Sequence, residues 1–222
     1  MRAPTSRFVV VTGTDTSVGK TVVTAALAVA HEAAGRRVAV VKPAQTGVLP
    51  GEPGDIEMIV DLTGATDVHE LTRLDLPLAP ESAARAVGTR LPTIADHARA
   101  IRAIDADVVL VEGAGGLLVR LDLDGGTLRD LAAELGAEVV LVAREGLGTL
   151  NHIALTLAAL ADVGLTAQVV LGSCSPDPDL AEASNRDDIP RLTGAPLAGQ
   201  VPAGAGSLTR EQFRDRAPGW LV

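Results

Sequence analysis

RFVVVTGTDTSVGKTVVTAALAVAHEAA, residues 7–34, runs from an apolar strand through a glycine-bounded loop into a long apolar helix. The β-branched run at 8–11 lacks polar alternation, as a strand buried on both faces requires. Gly13 and Gly19 bound a loop whose backbone N–H groups can turn inward around an anion. The helix opens near Lys20 and Thr21, so its free N–H groups and positive dipole end face the same point. Lys20 offers a mobile cation to outer phosphates, and Thr21 offers a hydroxyl to Mg²⁺. The common pattern is G-x-x-x-x-G-K-[ST], whereas five residues separate Gly13 from Gly19. Strand, loop and helix still follow in the order a phosphate-binding loop demands. The stretch therefore reads as a nucleoside triphosphate site.

Outward from this loop, apolar runs alternate with helical spacing. Strands are expected at 37–41, 107–111, 138–143, 167–171 and 197–201. Helices are expected at 55–62, 77–87, 93–104, 127–135, 149–163 and 179–192, with a short tail helix after them. Thr93, following Pro92, suits an N-cap. Strands joined by crossover helices imply an α/β fold: a mostly parallel sheet with helices on both faces, three layers in all. Ligands of such sheets bind at the carboxyl ends of the strands. Residues 51–54 and 176–179 read as loops with turn chemistry, and residues 1–222 as a single P-loop domain.

A chain of 222 residues can bury one core without staples. The lone cysteine, Cys174, excludes an internal disulfide framework and fits a reducing, cytoplasmic setting. The opening MRAPTSRFVVV shows neither the apolar core nor the cleavage pattern of a signal peptide. The longest uncharged stretch, 146–161, contains Asn151 and His152; it is shorter than the ~20 apolar residues that span a bilayer. No membrane partner is expected. A net charge of −9, with no tyrosine and with Phe8, Phe213 and Trp220 forming no stacking series, argues against nucleic acid. Local cations can still gather an anion on an acidic protein.

Further candidates lie at strand ends. Lys42, in KPAQTG, either solvates its ammonium group or joins the phosphate crevice as a second cation. Its strand follows the P-loop strand in sequence, which suggests that both ends open onto one crevice. Glu112 ends DVVLVE, where P-loop enzymes hold Mg²⁺, and the glycines after it allow close backbone approach. Asp55 suits either a helix N-cap or a metal role. Asn151 and His152 suit polar caps. His31, His69 and His97 lack ligand spacing, and Cys174 reads as inert.

GTDTSVGKT with its extra residue, KPAQTG, VEGAGG and LGTLNH, in this order and at these separations, resemble the dethiobiotin synthetase family. The likeness is specific over the first two thirds of the chain and looser beyond. It implies a homodimeric P-loop enzyme that uses ATP, Mg²⁺ and CO₂ (or bicarbonate) to close a ureido ring on 7,8-diaminononanoate. In that family a substrate amine captures CO₂ as a carbamate, the carbamate takes the γ-phosphoryl group, and the second amine displaces phosphate.

Carried over to matching positions, Lys20 would contact the β- and γ-phosphates and the carbamate, and Lys42 would stabilise charge on the carbamate and transferring phosphoryl. Thr16 would hold the reacting end and Thr46 would contact substrate. Thr21, Asp55 and Glu112 would hold Mg²⁺. Gly13, Ser17, Val18, Gly19 and Val22 would cradle nucleotide, with Gly113, Ala114 and Gly115 beside it and Pro202, Ala203 and Gly204 along its border. Asn151 would reach the substrate tail across the dimer interface, and Gly148, Thr149 and Leu150 would offer helix amides to its carboxylate.

Two features depart from the family pattern. Ser17 stands where an acid is common. Gly172 and Ser173 replace an Asn-Asp pair that recognises adenine, so weaker discrimination among nucleoside triphosphates is expected. Two other readings share the P-loop. A corrinoid amidoligase usually carries a further glutaminase domain with a nucleophilic Cys, which does not follow before Val222. A partitioning ATPase acting on DNA or membrane favours an early P-loop lysine, and residues 14–17 hold none.

Overall fold

A computed structural model describes residues 7–221; the readings that fall on residues 1–6 and 222 lie outside it. In chain order the elements are β1 (Arg7–Gly13), α1 (Lys20–Ala33), β2 (Val38–Lys42), β3 (Gln45–Thr46), α2 (Asp55–Thr63), β4 (Val68–Glu70) and β5 (Arg73–Leu74). They continue through α3 (Pro80–Val87), α4 (Ile94–Arg102), β6 (Val108–Gly116), α5 (Leu128–Leu135), β7 (Glu138–Ala143) and α6 (Thr149–Ala161). The last are β8 (Ala167–Cys174), α7 (Leu180–Thr193), β9 (Leu197–Pro202) and α8 (Arg210–Arg216), with 3₁₀ turns at Ala205–Ser207 and Ala217–Trp220.

Seven strands form one parallel sheet in the order β4-β2-β6-β1-β7-β8-β9. Each strand is fed by a crossover, which is how parallel neighbours must be joined. From β1 the chain lays down β2 and then β4 at the edge, returns to insert β6 between β2 and β1, and then crosses to the other side through β7, β8 and β9. That reversal opens a crevice at the carboxyl end of β1.

Both faces of the sheet are buried. Val9 and Val11 of β1 join the core beneath α1, α2 and α8, while Val10 faces the core beneath α4 to α7. The absence of polar alternation in FVVV follows directly. On the α1 side, Phe213 and Trp220 meet edge to face with ring centroids 5.2 Å apart, filling a corner that the small Ala and Val side chains leave. Thr93 caps α4 by accepting from the Asp96 N–H, and Thr127 caps α5 in the same way with Asp130.

Three features depart from the sequence reading. β6 lies between β1 and β2, so succession in sequence is not adjacency in the sheet. β6 also runs on through the glycines to Gly116 instead of stopping at Val111, because Gly116 pairs with Gly13. Finally, β4 and the separate β3–β5 pair were not foreseen, since two or three residues carry no periodicity. Arg73 fixes this corner through Glu70 at 2.6 Å and the Glu52 carbonyl at 2.7 Å. Among the described residues no helix is long and apolar enough to cross a membrane.

Candidate active site

The loop between β1 and α1 closes on itself. Gly19 adopts φ 98°, and Ser17 adopts φ 55°, the one positive φ of a non-glycine among the described residues. Alternating left-handed positions of this kind turn successive amides toward a common centre. Lys20 Nζ folds back to donate to the Asp15 carbonyl at 2.9 Å. A Cβ on Gly13 would sit 2.6 Å from that same carbonyl oxygen and 3.0 Å from Lys20 Nζ, so the turn requires glycine. Lys20 is buried, and burial followed by repulsion from Lys42 holds its pKa below the ordinary lysine value, against the pull of Glu112, Asp55 and Asp15.

Lys42 reaches across from the end of β2 to Glu112 and Gly113 in the middle of β6. Its Nζ lies 2.5 Å from Asp55 Oδ2 and 2.8 Å from Glu112 Oε1, and it donates to the Gly113 carbonyl at 3.0 Å. Thr21 Oγ1 donates to the same Glu112 oxygen at 3.0 Å. Burial opposes the charge on Lys42, but Glu112 and Asp55 outweigh it and hold its pKa above the ordinary value. Burial alone would raise the Asp55 pKa; Lys42 and then Thr21 bring it below the ordinary value. Glu112 is fully buried, and desolvation, with Asp55 adding to it, pushes its pKa upward against the pull of Lys42. The cleft thus holds two ammonium groups, two carboxylates and a hydroxyl, with most charges compensated.

The two open readings of Asp55 separate here. Gly54 is the N-cap of α2, its N–H bound to Glu57 Oε2 at 2.7 Å, and Asp55 is the first helical residue with its carboxylate on Lys42. Asp55 therefore does not cap its helix. The polar-cap reading of Asn151 and His152 is likewise corrected: Gly148, at φ 90°, caps α6 without a side-chain bond, and both polar residues are exposed.

A divalent cation fits this group of oxygens. Glu112 Oε2 is buried without a hydrogen-bond partner among the described residues, a costly state for a carboxylate unless a cation meets it. Thr21 and Asp55 add two more hard oxygen donors, the type that suits Mg²⁺. Among the described residues no cluster of three or more His, Cys, Asp or Glu makes a dedicated metal cage. Mg²⁺ characteristically needs only one or two carboxylates, because phosphates and water complete its shell.

Half of the sequence-derived site residues line one cleft of about 500 Å³. Thr16, Ser17, Gly19, Lys20, Thr21 and Val22 line it from the loop and α1, facing Lys42, Thr46, Asp55, Glu112, Ala114 and Gly115. Val18 is instead buried in the core. Gly113 turns away: a Cβ there would lie 2.2 Å from Leu128 Cδ2, and the residue meets the cleft through its carbonyl on Lys42. Gly13, Gly148, Thr149, Leu150, Asn151, Gly172, Ser173, Pro202, Ala203 and Gly204 do not line this cleft. Gln45 was overlooked although it lies within KPAQTG. Its Oε1 accepts the Asp55 N–H at 3.0 Å, anchoring the turn that aims Asp55 at Lys42. Cys174 is buried, its thiol pushed up to about 11 by burial and then by Glu145.

A protein-family model described as an AAA domain matches residues 7–211. A protein of Rhodococcus jostii named ATP-dependent dethiobiotin synthetase BioD is 54% identical over 96% of this chain and 94% of its own. One of the same name from Parafrankia is 57% identical over 92% and 87%, and one from Streptomyces coelicolor 52% identical over 96% and 91%. Among solved structures, the septum site-determining protein MinD with Mg-ADP from Pyrococcus horikoshii superposes with TM-score 0.59 at 17% identity, over 96% of this chain and 91% of that one. Chloroplast FtsY from Physcomitrella patens gives 0.52 at 20% identity, over 96% and 65%. These distant structures share the P-loop architecture and nothing narrower. With more than half of its residues identical to those of such relatives, and with both lysines on one cleft, the chain belongs to the dethiobiotin synthetase family of cyclo-ligase enzymes.

Proposed function

We propose that the protein carboxylates 7,8-diaminononanoate with CO₂ and closes its ureido ring at the expense of ATP, giving dethiobiotin, ADP and phosphate. The observation that carries this reading is the meeting of Lys20 and Lys42 in one cleft beside Glu112 and Asp55. No nucleophilic side chain is needed, because the chemistry is positioning and charge neutralisation.

In the proposed sequence a substrate amine attacks CO₂, forming a C–N bond and releasing a proton, to give a carbamate. Thr16 and Thr46 border the cleft where this end would sit. A carbamate oxygen then attacks the γ-phosphorus, and the bond to the ADP oxygen breaks. Lys20 and Lys42 stabilise the charge that gathers on the oxygens in flight. Lys42 keeps its proton through Asp55 and Glu112, so the ammonium is present when the charge develops. The second amine attacks the carbonyl carbon of the carbamic–phosphoric anhydride, loses a proton, and phosphate leaves. Thr21, Asp55 and Glu112 would hold Mg²⁺, which when bound neutralises phosphate oxygens.

The substrate carboxylate is assigned to the amides of Gly148, Thr149 and Leu150, where the first turn of α6 leaves N–H groups without helical partners. A homodimer would bring Asn151 of a second copy to the same substrate. Exposed Leu118, Leu147 and Leu155, all near α6, support such an interface. Pro202, Ala203 and Gly204 are assigned to the nucleotide border, and a cytoplasmic setting suits the free Cys174. ADP release measured with diamine and bicarbonate supplied separately and together tests the reading. Release that requires both supports it; release indifferent to the diamine but stimulated by DNA contradicts it.

A further inference from the structure

The turn between β7 and α6 is held by polar contacts from α7. Glu145 is buried, its carboxylate paired with Arg186 through Oε1 and accepting the Ser175 N–H at 3.0 Å through Oε2. Asn185, also buried, donates from Nδ2 to the Glu145 carbonyl at 2.7 Å and to the Gly146 carbonyl at 3.2 Å. The Gly146 carbonyl accepts in addition the N–H of Thr149, the first residue of α6, at 3.3 Å. One carboxamide on α7 is thus linked through one carbonyl to the start of α6.

Little apolar packing restrains this turn. Leu147 is 90% exposed, and the glycines on either side of it carry no side chain. Gly148 holds φ 90°, which a glycine enters and leaves at low cost, so its setting comes from its neighbours. Thr149 is buried, and its Oγ1 has no hydrogen-bond partner among the described residues, a second polar group at the helix start left for a ligand to satisfy.

We propose that Asn185 is a positioning residue for the substrate carboxylate: by fixing the Gly146 carbonyl it sets the direction in which the first turn of α6 presents its amides. The proposal rests on the reading that this turn receives the carboxylate. Amides bind an anion well only when aligned on it, because a hydrogen bond weakens steeply as its donor angle falls. Without the Asn185 carboxamide the Glu145 side chain still anchors the turn to Arg186 and Ser175. The Gly146 carbonyl is then free to rotate, and the amides lose their common aim.

The test is steady-state kinetics of the wild type and Asn185→Leu with 7,8-diaminononanoate and with its carboxamide, whose tail is neutral, circular dichroism establishing folding. The wild type is expected to show a KM about tenfold or more lower for the carboxylate, the scale of one hydrogen bond to a charged group. Asn185→Leu is expected to raise KM for the carboxylate about tenfold, with KM for the carboxamide, kcat and the ATP dissociation constant near their wild-type values. A folded variant with KM unchanged for both diamines overturns the proposal. So does a rise by the same factor for both, or a loss confined to kcat, either of which leaves Asn185 a structural residue. Should Asn185→Leu fail to fold, Asn185→Ser, too short to reach both carbonyls, is measured in its place and judged by the same outcomes. A wild type that does not distinguish carboxylate from carboxamide refutes the α6 reading itself, and the proposal with it, before any variant is made.

Discussion

Gln45 shows how much of the site hangs on one carboxamide. Gly54 has no side chain to cap α2, and the Gln45 Oε1 takes the Asp55 N–H instead. A Cβ on Gly54 would sit 2.9 Å from that oxygen, so the glycine and the glutamine depend on each other. Replacing Gln45 by leucine leaves the Asp55 N–H unpaired and frees the first turn of α2. The expected cost is about 1 kcal/mol, less than for a deeply buried donor because Asp55 is only part-buried. Since Asp55 is aimed by this bond, Gln45→Leu should also raise the Mg²⁺ concentration needed for half-maximal turnover. An unchanged Mg²⁺ requirement alongside a lowered unfolding midpoint would reduce Gln45 to a structural residue.

Among the elements, some wrote themselves plainly in the sequence and others did not. β7 occupies residues 138–143 as expected, because an uninterrupted apolar run between a helix C-terminal glycine and a polar loop has few other outcomes. Thr93 was legible as a cap because its hydroxyl competes for a backbone N–H within three residues, a local interaction. β4 and β5 were not legible, since a three-residue VHE and a two-residue RL gain their order only from distant partners on β2 and β3. For the same reason the site residues at strand ends were found, while the reason Lys42 reaches Glu112 was not: β6 is interposed by a long-range pairing. Thr127 caps α5 with its oxygen on the Asp130 N–H, and Asp130 returns the contact to both Thr127 groups. Thr127→Ala should cost about 1 kcal/mol, read as a lowered denaturant midpoint with unchanged slope. At the end of β8, Gly172 and Ser173 offer no carboxamide to a purine. Turnover with ATP, CTP and GTP should therefore differ little, and an exclusive preference for ATP would contradict this.

For the molecule as a whole, pH acts through a group far from the chemistry. His97 on α4 is buried, and both its ring nitrogens lack hydrogen-bond partners among the described residues. Burial holds its pKa below the ordinary histidine value, against the pull of Asp122 and Asp96. The unfolded chain therefore binds this proton more readily than the folded one. Stability is intact above the unfolded value of about 6.5 and is lost as pH falls below it. The unfolding midpoint should drop between pH 7.5 and 5.5, and drop less in His97→Leu; parallel curves would show that His97 does not titrate on unfolding.

The cleft at the sheet rim makes a demand of its own. Lys42 is needed when charge moves from ATP to the carboxylated amine, more than when nucleotide binds. The direct measurement is steady-state ADP formation with diamine and bicarbonate by Lys42→Ala, set beside its ATP dissociation constant. Turnover should fall about 10²-fold or more, the scale of removing one preorganised electrostatic donor, with ATP affinity nearly kept. Unchanged turnover in the folded variant would contradict the account.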